Sequence, residues 1–452
     1  MSDFHQNGVV TVLHRLGRPN LEQLEAELLR YAAANPIALV LPSLYSELQR
    51  PALKQIVETL TQIPYLNEIV ISLDRASALE FRRAKEFFAV LPQRVRVIWN
   101  DGARIQSLLT LLTDHAIDVG LQGKGRGCWT AFGYLLARHQ SKVIALHDCD
   151  ILSYDRHYLA RLCYPIANPN LGYEFAKGYY SRITDRLHGR VTRLFITPLL
   201  RSLQQLAGTH PLLTFLDSFR YPLAGEFAMV NDLAWINRIP GDWGLEIGVL
   251  AEVYRNCALR RVCQVDIADA YEHKHQDLSA DNPDAGLLKM SADITKALFR
   301  NLASDGVVLS ESLLKTLRAT YLQAAQDAIS RYENDAMINS LRFDRHEERT
   351  AVEVFLKGMK LATASFLDDP LGVPMISNWS RVAAAVPDIF GLLIDAVESD
   401  HEWEPAVEPA MKLQPELVAP GHWLPTPKSC EPSLFAMFLR IRSRRRRKTA
   451  GT

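Results

Sequence analysis

Val143-Ile144-Ala145-Leu146-His147-Asp148-Cys149-Asp150 decides the fold. A four-residue apolar run that ends abruptly in acids reads as a strand buried on both faces, as in parallel sheets covered by helices. In extended backbone, residues two apart point to the same side, so the Asp148 and Asp150 carboxylates leave the strand end together. The carboxyl ends of strands in open α/β sheets are where ligands bind. Carboxylate oxygens are hard ligands suited to Mg²⁺ or Mn²⁺ bridging a diphosphate.

Working outward, short apolar runs alternate with helical stretches. Upstream stand the strands Ile37–Leu41, Glu68–Leu73 and Val95–Trp99, separated by helices over about 47–61 and 76–91. Pro42-Ser43 ends the first run and opens a loop. Before it, 20–34 carries Leu21, Leu24, Leu28 and Leu29 on one helical face. Such alternation predicts right-handed βαβ units and a mostly parallel sheet. Downstream, 172–178 and 265–271 read as strands and 192–206 as a helix. Residues 285–335, 346–366 and 380–398 are strongly helical. The expected division is 1–36 as an N-terminal helical segment, 37–285 as the α/β domain, 286–400 as a helical region and 401–452 as an extended segment with a basic tail. Within the α/β domain, 37–150 forms the nucleotide half and 151–285 the acceptor half.

Composition sets outer bounds. The chain has 452 residues, 48% of them hydrophobic and 23% charged, as in an ordinary globular protein of enzyme size. Lys+Arg and Asp+Glu both number 51, so global charge gives no support for nucleic-acid binding. Cys128, Cys149, Cys163, Cys257, Cys263 and Cys430 lack Cys-x-x-Cys spacing and read as reduced thiols. No apolar run reaches membrane-span length and no signal peptide opens the chain, so a cytoplasmic location is expected.

Further segments carry possible chemistry. Gly123-Lys124-Gly125-Arg126-Gly127 matches neither the Walker spacing nor Gly-x-Gly-x-x-Gly. It is either a flexible loop before a helix or a way to place Lys124 near a nucleotide. Tyr221-Pro222-Leu223-Ala224-Gly225-Glu226 and Gly244-Leu245-Glu246-Ile247-Gly248 set small residues beside an acid, as a turn or as a close approach to a ligand. Glu272-His273-Lys274-His275 offers a histidine that is a surface residue or a metal ligand. Gly189-Arg190-Val191-Thr192 joins a planar donor fork to a hydroxyl, which suits an anion.

In this order, these segments and Leu41-Pro42-Ser43-Leu44 together resemble the glucosyl-3-phosphoglycerate synthases, over about residues 37 to 300. The resemblance implies a retaining glycosyltransferase of the GT-A fold, with a nucleotide-sugar-binding sheet and a helical C-terminal region. It would move glucose from a nucleoside diphosphate glucose to 3-phosphoglycerate with Mg²⁺ or Mn²⁺, in the synthesis of glucosylglycerate, a compatible solute. Pro42, Ser43, Leu44, Ser72, Lys124, Asp148, Cys149, Leu223 and Gly225 would line the donor site. Asp150 and His273 would ligate the metal. Gly189, Arg190, Thr192 and Lys274 would hold the acceptor. Glu246, with Asp150, would act at the reacting sugar, Glu246 by positioning its hydroxyls. A homodimer is implied as well.

Three departures stand out: Cys149 replaces the usual Ser, Tyr45-Ser46-Glu47 replaces an Asn-Glu-Glu run, and Lys274 stands where an Arg is usual. The second leaves UDP- and GDP-glucose both open as donors. Mannosyl transfer from GDP-mannose to glycerate or 3-phosphoglycerate is the nearest alternative. A sugar nucleotidyltransferase is disfavoured, because Pro42-Ser43-Leu44-Tyr45 lacks a Gly-rich signature after the first strand. A non-enzymatic alternative is a membrane-surface protein recruited through Arg440, Arg442, Arg444 to Arg447 and Lys448. The preferred reading of that tail is a solubilising terminus without membrane contact.

Overall fold

The computed structural model describes residues 6, 8–17, 20–241, 244–268, 278–279, 282–372 and 375–403. Its centre is an eight-stranded sheet in the order β1-β8-β6-β7-β5-β2-β3-β4. The strands are β1 (Thr11–Leu13), β2 (Ile37–Leu44), β3 (Leu66–Asp74), β4 (Arg94–Trp99), β5 (Val143–Leu146), β6 (Phe175–Tyr180), β7 (Phe227–Val230) and β8 (Val262–Ala268). All pairings are parallel except those of β7, which runs antiparallel to both β5 and β6. The α/β class and the mostly parallel sheet expected from the sequence are therefore present.

Both faces of the sheet are covered, which is why its strands read as unbroken apolar runs. Ala38, Val40, Ile144 and Leu146 face one core, while Leu39, Leu41, Val143 and Ala145 face the other. The first strand is longer than its sequence suggests. Pro42, Ser43 and Leu44 continue β2 and pair with Ser72, Leu73 and Asp74 of β3. Pairing with β5 stops at Val40–Leu146. Beyond that point β2 has an open side, the setting in which a strand tolerates a residue without an N–H.

The N-terminal residues contribute a strand as well as a helix. β1 pairs with β8, and the helix Leu21–Ala32 packs against the helix Arg156–Ala167. At the other end of the chain, the helix Ile389–Glu402 folds back over the helix Lys124–Arg138 and β4. Glu398 accepts hydrogen bonds from Tyr134 at 2.5 Å and from Arg96 at 2.8 Å. Trp379 stacks on Trp129 with ring centroids 4.3 Å apart, and its indole donates to the Trp129 carbonyl. No helix among the described residues is long and apolar enough to cross a membrane.

Candidate functional site

Strand register brings the site together. Leu146 at the carboxyl end of β5 is level with Phe227 of β7, and Phe227 is level with Lys177 of β6. Because β7 is antiparallel, its amino end lies where the carboxyl ends of its neighbours lie. The turn Tyr221–Glu226, which feeds β7, is thereby delivered beside Asp148.

That approach is close. A Cβ built on Gly225 would stand 2.3 Å from Asp148 Oδ2, so any side chain there would displace the Asp148 carboxylate. Lys124, in the first turn of the helix Lys124–Arg138, comes within 2.6 Å of Asp148 Oδ1 and donates to Glu246 Oε1 at 3.3 Å. Burial opposes the charge of Lys124, but Asp148 and Glu246 outweigh it and hold the ammonium well above its ordinary pKa. Glu246 lies in the first turn of the helix Leu245–Asn256, where an acid complements the helix dipole. Burial, reinforced by Asp148, Glu226 and Glu47 against Lys124, pushes the Asp150 carboxyl up to about 7.

The glycines of Gly123–Gly127 serve packing. A Cβ on Gly125 would meet the Pro240 carbonyl oxygen at 2.0 Å, and one on Gly127 would meet Ser72 Oγ at 2.5 Å. Their absence lets the helix carrying Lys124 press onto Pro240 and onto the end of β3. This helix covers Ser72, which is fully buried, and Asn100 donates to its hydroxyl at 2.8 Å. Ser43 is buried, Pro42 and Leu223 are half-buried, and Leu44 is exposed. Cys149 is buried, with its thiol pushed well up by burial.

Gly189 adopts φ 73°, a left-handed turn that favours glycine, before the π-helix Val191–Ile196. Arg190 there is held by two adjacent acids of the helix Arg345–Asp368. It donates from Nε to Glu348 at 2.8 Å and from Nη2 to Glu347 at 2.6 Å. Thr192 is buried, and its hydroxyl has no hydrogen-bond partner. Tyr221 bridges the two regions: its ring would lie 3.7 Å from a Cβ on Gly189, and it packs on Tyr180 at 5.0 Å. Tyr180 in turn donates to Glu226 Oε2 at 2.9 Å.

The chain shares 48% identity over 401 residues with the glucosyl-3-phosphoglycerate synthase of Persephonella marina, covering 89% of this chain and 99% of that one. The chain belongs to the glucosyl-3-phosphoglycerate synthase family. The synthase of Methanococcoides burtonii is 39% identical over 403 residues, covering 88% and 98%. No protein-family model matches this chain. A solved glucosyl-3-phosphoglycerate synthase from Mycobacterium tuberculosis, in complex with Mg²⁺ and uridine diphosphate, is 20% identical. It gives a TM-score of 0.47 and covers 67% of this chain and 89% of that one, a likeness too distant to bear on individual residues.

Among the glucosyl-3-phosphoglycerate synthase residues expected at the site, His273 and Lys274 lie outside the described residues, as do the stretch 404–452 and its basic cluster. Among the described residues, no group of three His, Cys, Asp or Glu side chains could hold a metal by itself. Sequence reading missed Lys177. It is 1% exposed, donates to the Ala224 carbonyl at 2.5 Å and sits 5.7 Å from the Phe227 ring. Burial lowers its pKa to about 8, with Glu246 and Glu226 pulling the other way. A lone lysine in the run Phe175-Ala-Lys-Gly-Tyr-Tyr was the available signal, since a buried strand carries a charge only where partners await it.

Proposed function

We propose that this protein is a metal-dependent, retaining glucosyltransferase that moves glucose from a nucleoside diphosphate glucose to 3-phosphoglycerate. Membership of the synthase family supports the reaction. The observation that carries it to these residues is the grouping of Asp148, Lys124, Glu246 and Gly225 at one strand end.

The carboxylates at the strand end suit a hard divalent cation, though the described residues alone do not complete a ligand set. Among the described residues, Asp148, Asp150, Glu226 and Glu246 stand against the cations Lys124 and Lys177, and carboxylate oxygens suit Mg²⁺ or Mn²⁺. Asp150 would hold the ion, with His273 as the proposed second ligand. When bound, such an ion offsets the charge that gathers on the departing diphosphate.

The remaining work falls to the chain. Lys124 sets an ammonium beside the reacting centre in a partly dry site, where preorganised charge counts for more than in water. Asp148 and Glu246, fixed by that ammonium, orient hydroxyls of the donor. Arg190 and Thr192, presented by the Gly189 turn, take the anionic acceptor. In a front-face reaction the leaving phosphate oxygen accepts the proton of the acceptor hydroxyl, so a dedicated carboxylate base is not required.

A matrix of UDP-, GDP- and ADP-sugars against 3-phosphoglycerate and glycerate, with Mg²⁺ or Mn²⁺, tests the proposal. Glucosyl-3-phosphoglycerate should form with at least one NDP-glucose, with the anomeric configuration of the donor. Turnover with mannosyl donors alone, or an inverted product, would sink it.

A further inference from the structure

Arg190 ties the proposed acceptor site to the helix Arg345–Asp368, and its two carboxylate partners differ in kind. Glu348 has a side chain only 5% exposed and is engaged at both oxygens, by Arg190 at 2.8 Å and by Arg193 at 3.0 Å. Arg193 is anchored further by donating to the His188 carbonyl and by lying 4.8 Å from the Tyr332 ring. Glu347 has a side chain 48% exposed and meets Arg190 Nη2 at 2.6 Å. Asp344 caps the start of this helix by accepting from the His346 and Glu347 backbone amides, which fixes where both glutamates emerge.

A buried carboxylate shared by two guanidinium groups is costly to disturb, whereas an exposed ion pair holds weakly and exchanges readily. A carboxylate on an arginine fork also occupies the geometry that a substrate carboxylate or phosphate would take. Two residues on, the Thr192 hydroxyl, buried and without a partner, marks unfilled hydrogen-bonding capacity in the same segment.

We propose that Glu347 occupies Arg190 as a stand-in for the acceptor's anionic group and yields to it, while Glu348 keeps Arg190 positioned throughout. Glu348 is then a positioning residue and Glu347 a built-in competitor that sets acceptor affinity. This inference rests on the reading of Arg190 as an acceptor contact.

The test compares Glu347→Gln, Glu348→Gln, Glu348→Asp, Arg190→Ala and Glu353→Gln in the full chain, with KM for donor and acceptor measured separately. Glu353 is an exposed acid of the same helix and controls for a general change of charge. Glu347→Gln should lower the acceptor KM about threefold to fivefold with donor KM unchanged, the scale of one exposed ion pair. Glu348→Gln should raise the acceptor KM, and Glu348→Asp should restore part of the loss. An equal gain with glycerate would assign the displaced contact to the acceptor carboxylate, and a gain confined to 3-phosphoglycerate would assign it to the phosphate; both support displacement. If Arg190→Ala leaves the acceptor KM unchanged, the acceptor assignment itself fails, and this inference with it. If Arg190→Ala raises that KM while Glu347→Gln does not lower it, or Glu353→Gln lowers it equally, only the competitor role is overturned.

Discussion

Gly225 and Asp148 touch so closely that the glycine hydrogen is part of the site. A Cβ at position 225 would stand 2.3 Å from Asp148 Oδ2 and 2.7 Å from its carboxyl carbon. Gly225 has no left-handed backbone to protect, so alanine there tests contact alone. We predict that Gly225→Ala pushes the carboxylate off Lys124 and lowers kcat/KM by about 100-fold, the scale of an ångström's misplacement. Thermal unfolding should change little by comparison. Steady-state kinetics on the folded variant check this, and activity near wild type would refute it.

Lys177 holds that turn from below. Its ammonium donates to the Ala224 carbonyl, one residue before Gly225, and lies among the charges of Glu226 and Glu246. Lys177→Met keeps the length and removes the donor, leaving a buried carbonyl without its partner. The expected result is a loss of roughly 10-fold to 100-fold in kcat/KM, by displacement of the Gly225 turn. A folded Lys177→Met enzyme within about twofold of wild type would show that Lys177 is merely buried.

The parts of this molecule that sequence reveals are those written in neighbouring residues. β2, β3 and β5 are legible because a strand buried on both faces must be apolar throughout. The Asp148–Asp150 pair is legible because period two is built into extended backbone. The helix Arg156–Ala167 is hidden by Pro165, which usually ends a helix; here the helix runs only two residues beyond it. Pro42 hides the end of β2 for a related reason, since its tolerance depends on how far β5 extends. Lys177 and the Arg190–Glu348 pair depend on partners elsewhere in the chain, the latter 158 residues away, and no local pattern announces them.

Asp74 gives a pH test at a residue that is not among the proposed metal ligands. It is 7% exposed at the end of β3, and burial, with Asp101 nearby, raises its pKa from 3.8 to about 6. Asn100, Arg126 and Gln122 pull it the other way without cancelling the rise. Between these two pKa values the folded protein binds the proton more tightly than the unfolded chain, so stability falls as pH rises through that window. Above it the whole penalty is present, roughly 2–3 kcal/mol from the size of the shift. Asp74→Asn carries no such charge. It should be more stable than wild type near pH 7 and lose that advantage near pH 4, as followed by urea unfolding at both. A stability difference that does not change with pH would refute the assignment.

Metal removal tests the acidic pair directly. Among the described residues, Asp148, Glu226 and Glu47 act on Asp150 against Lys124, so without a cation negative charge gathers where a diphosphate must bind. We predict that exhaustive chelation abolishes glucosyl transfer and that Mg²⁺ or Mn²⁺ restores it. Asp150→Asn preserves shape but removes the anionic ligand, so its activity should fall by about 10³-fold or more, the scale of losing a main electrostatic stabiliser. Raising the cation concentration should recover part of that loss if the defect is weakened binding. The decisive comparison is isothermal titration of Mn²⁺ into both proteins with nucleoside diphosphate present. Wild type should bind one ion, and Asp150→Asn should bind it at least about tenfold more weakly, the minimum expected for loss of a ligand or its support. Equal affinity in the two proteins would remove Asp150 from the metal site, whatever happened to the rate.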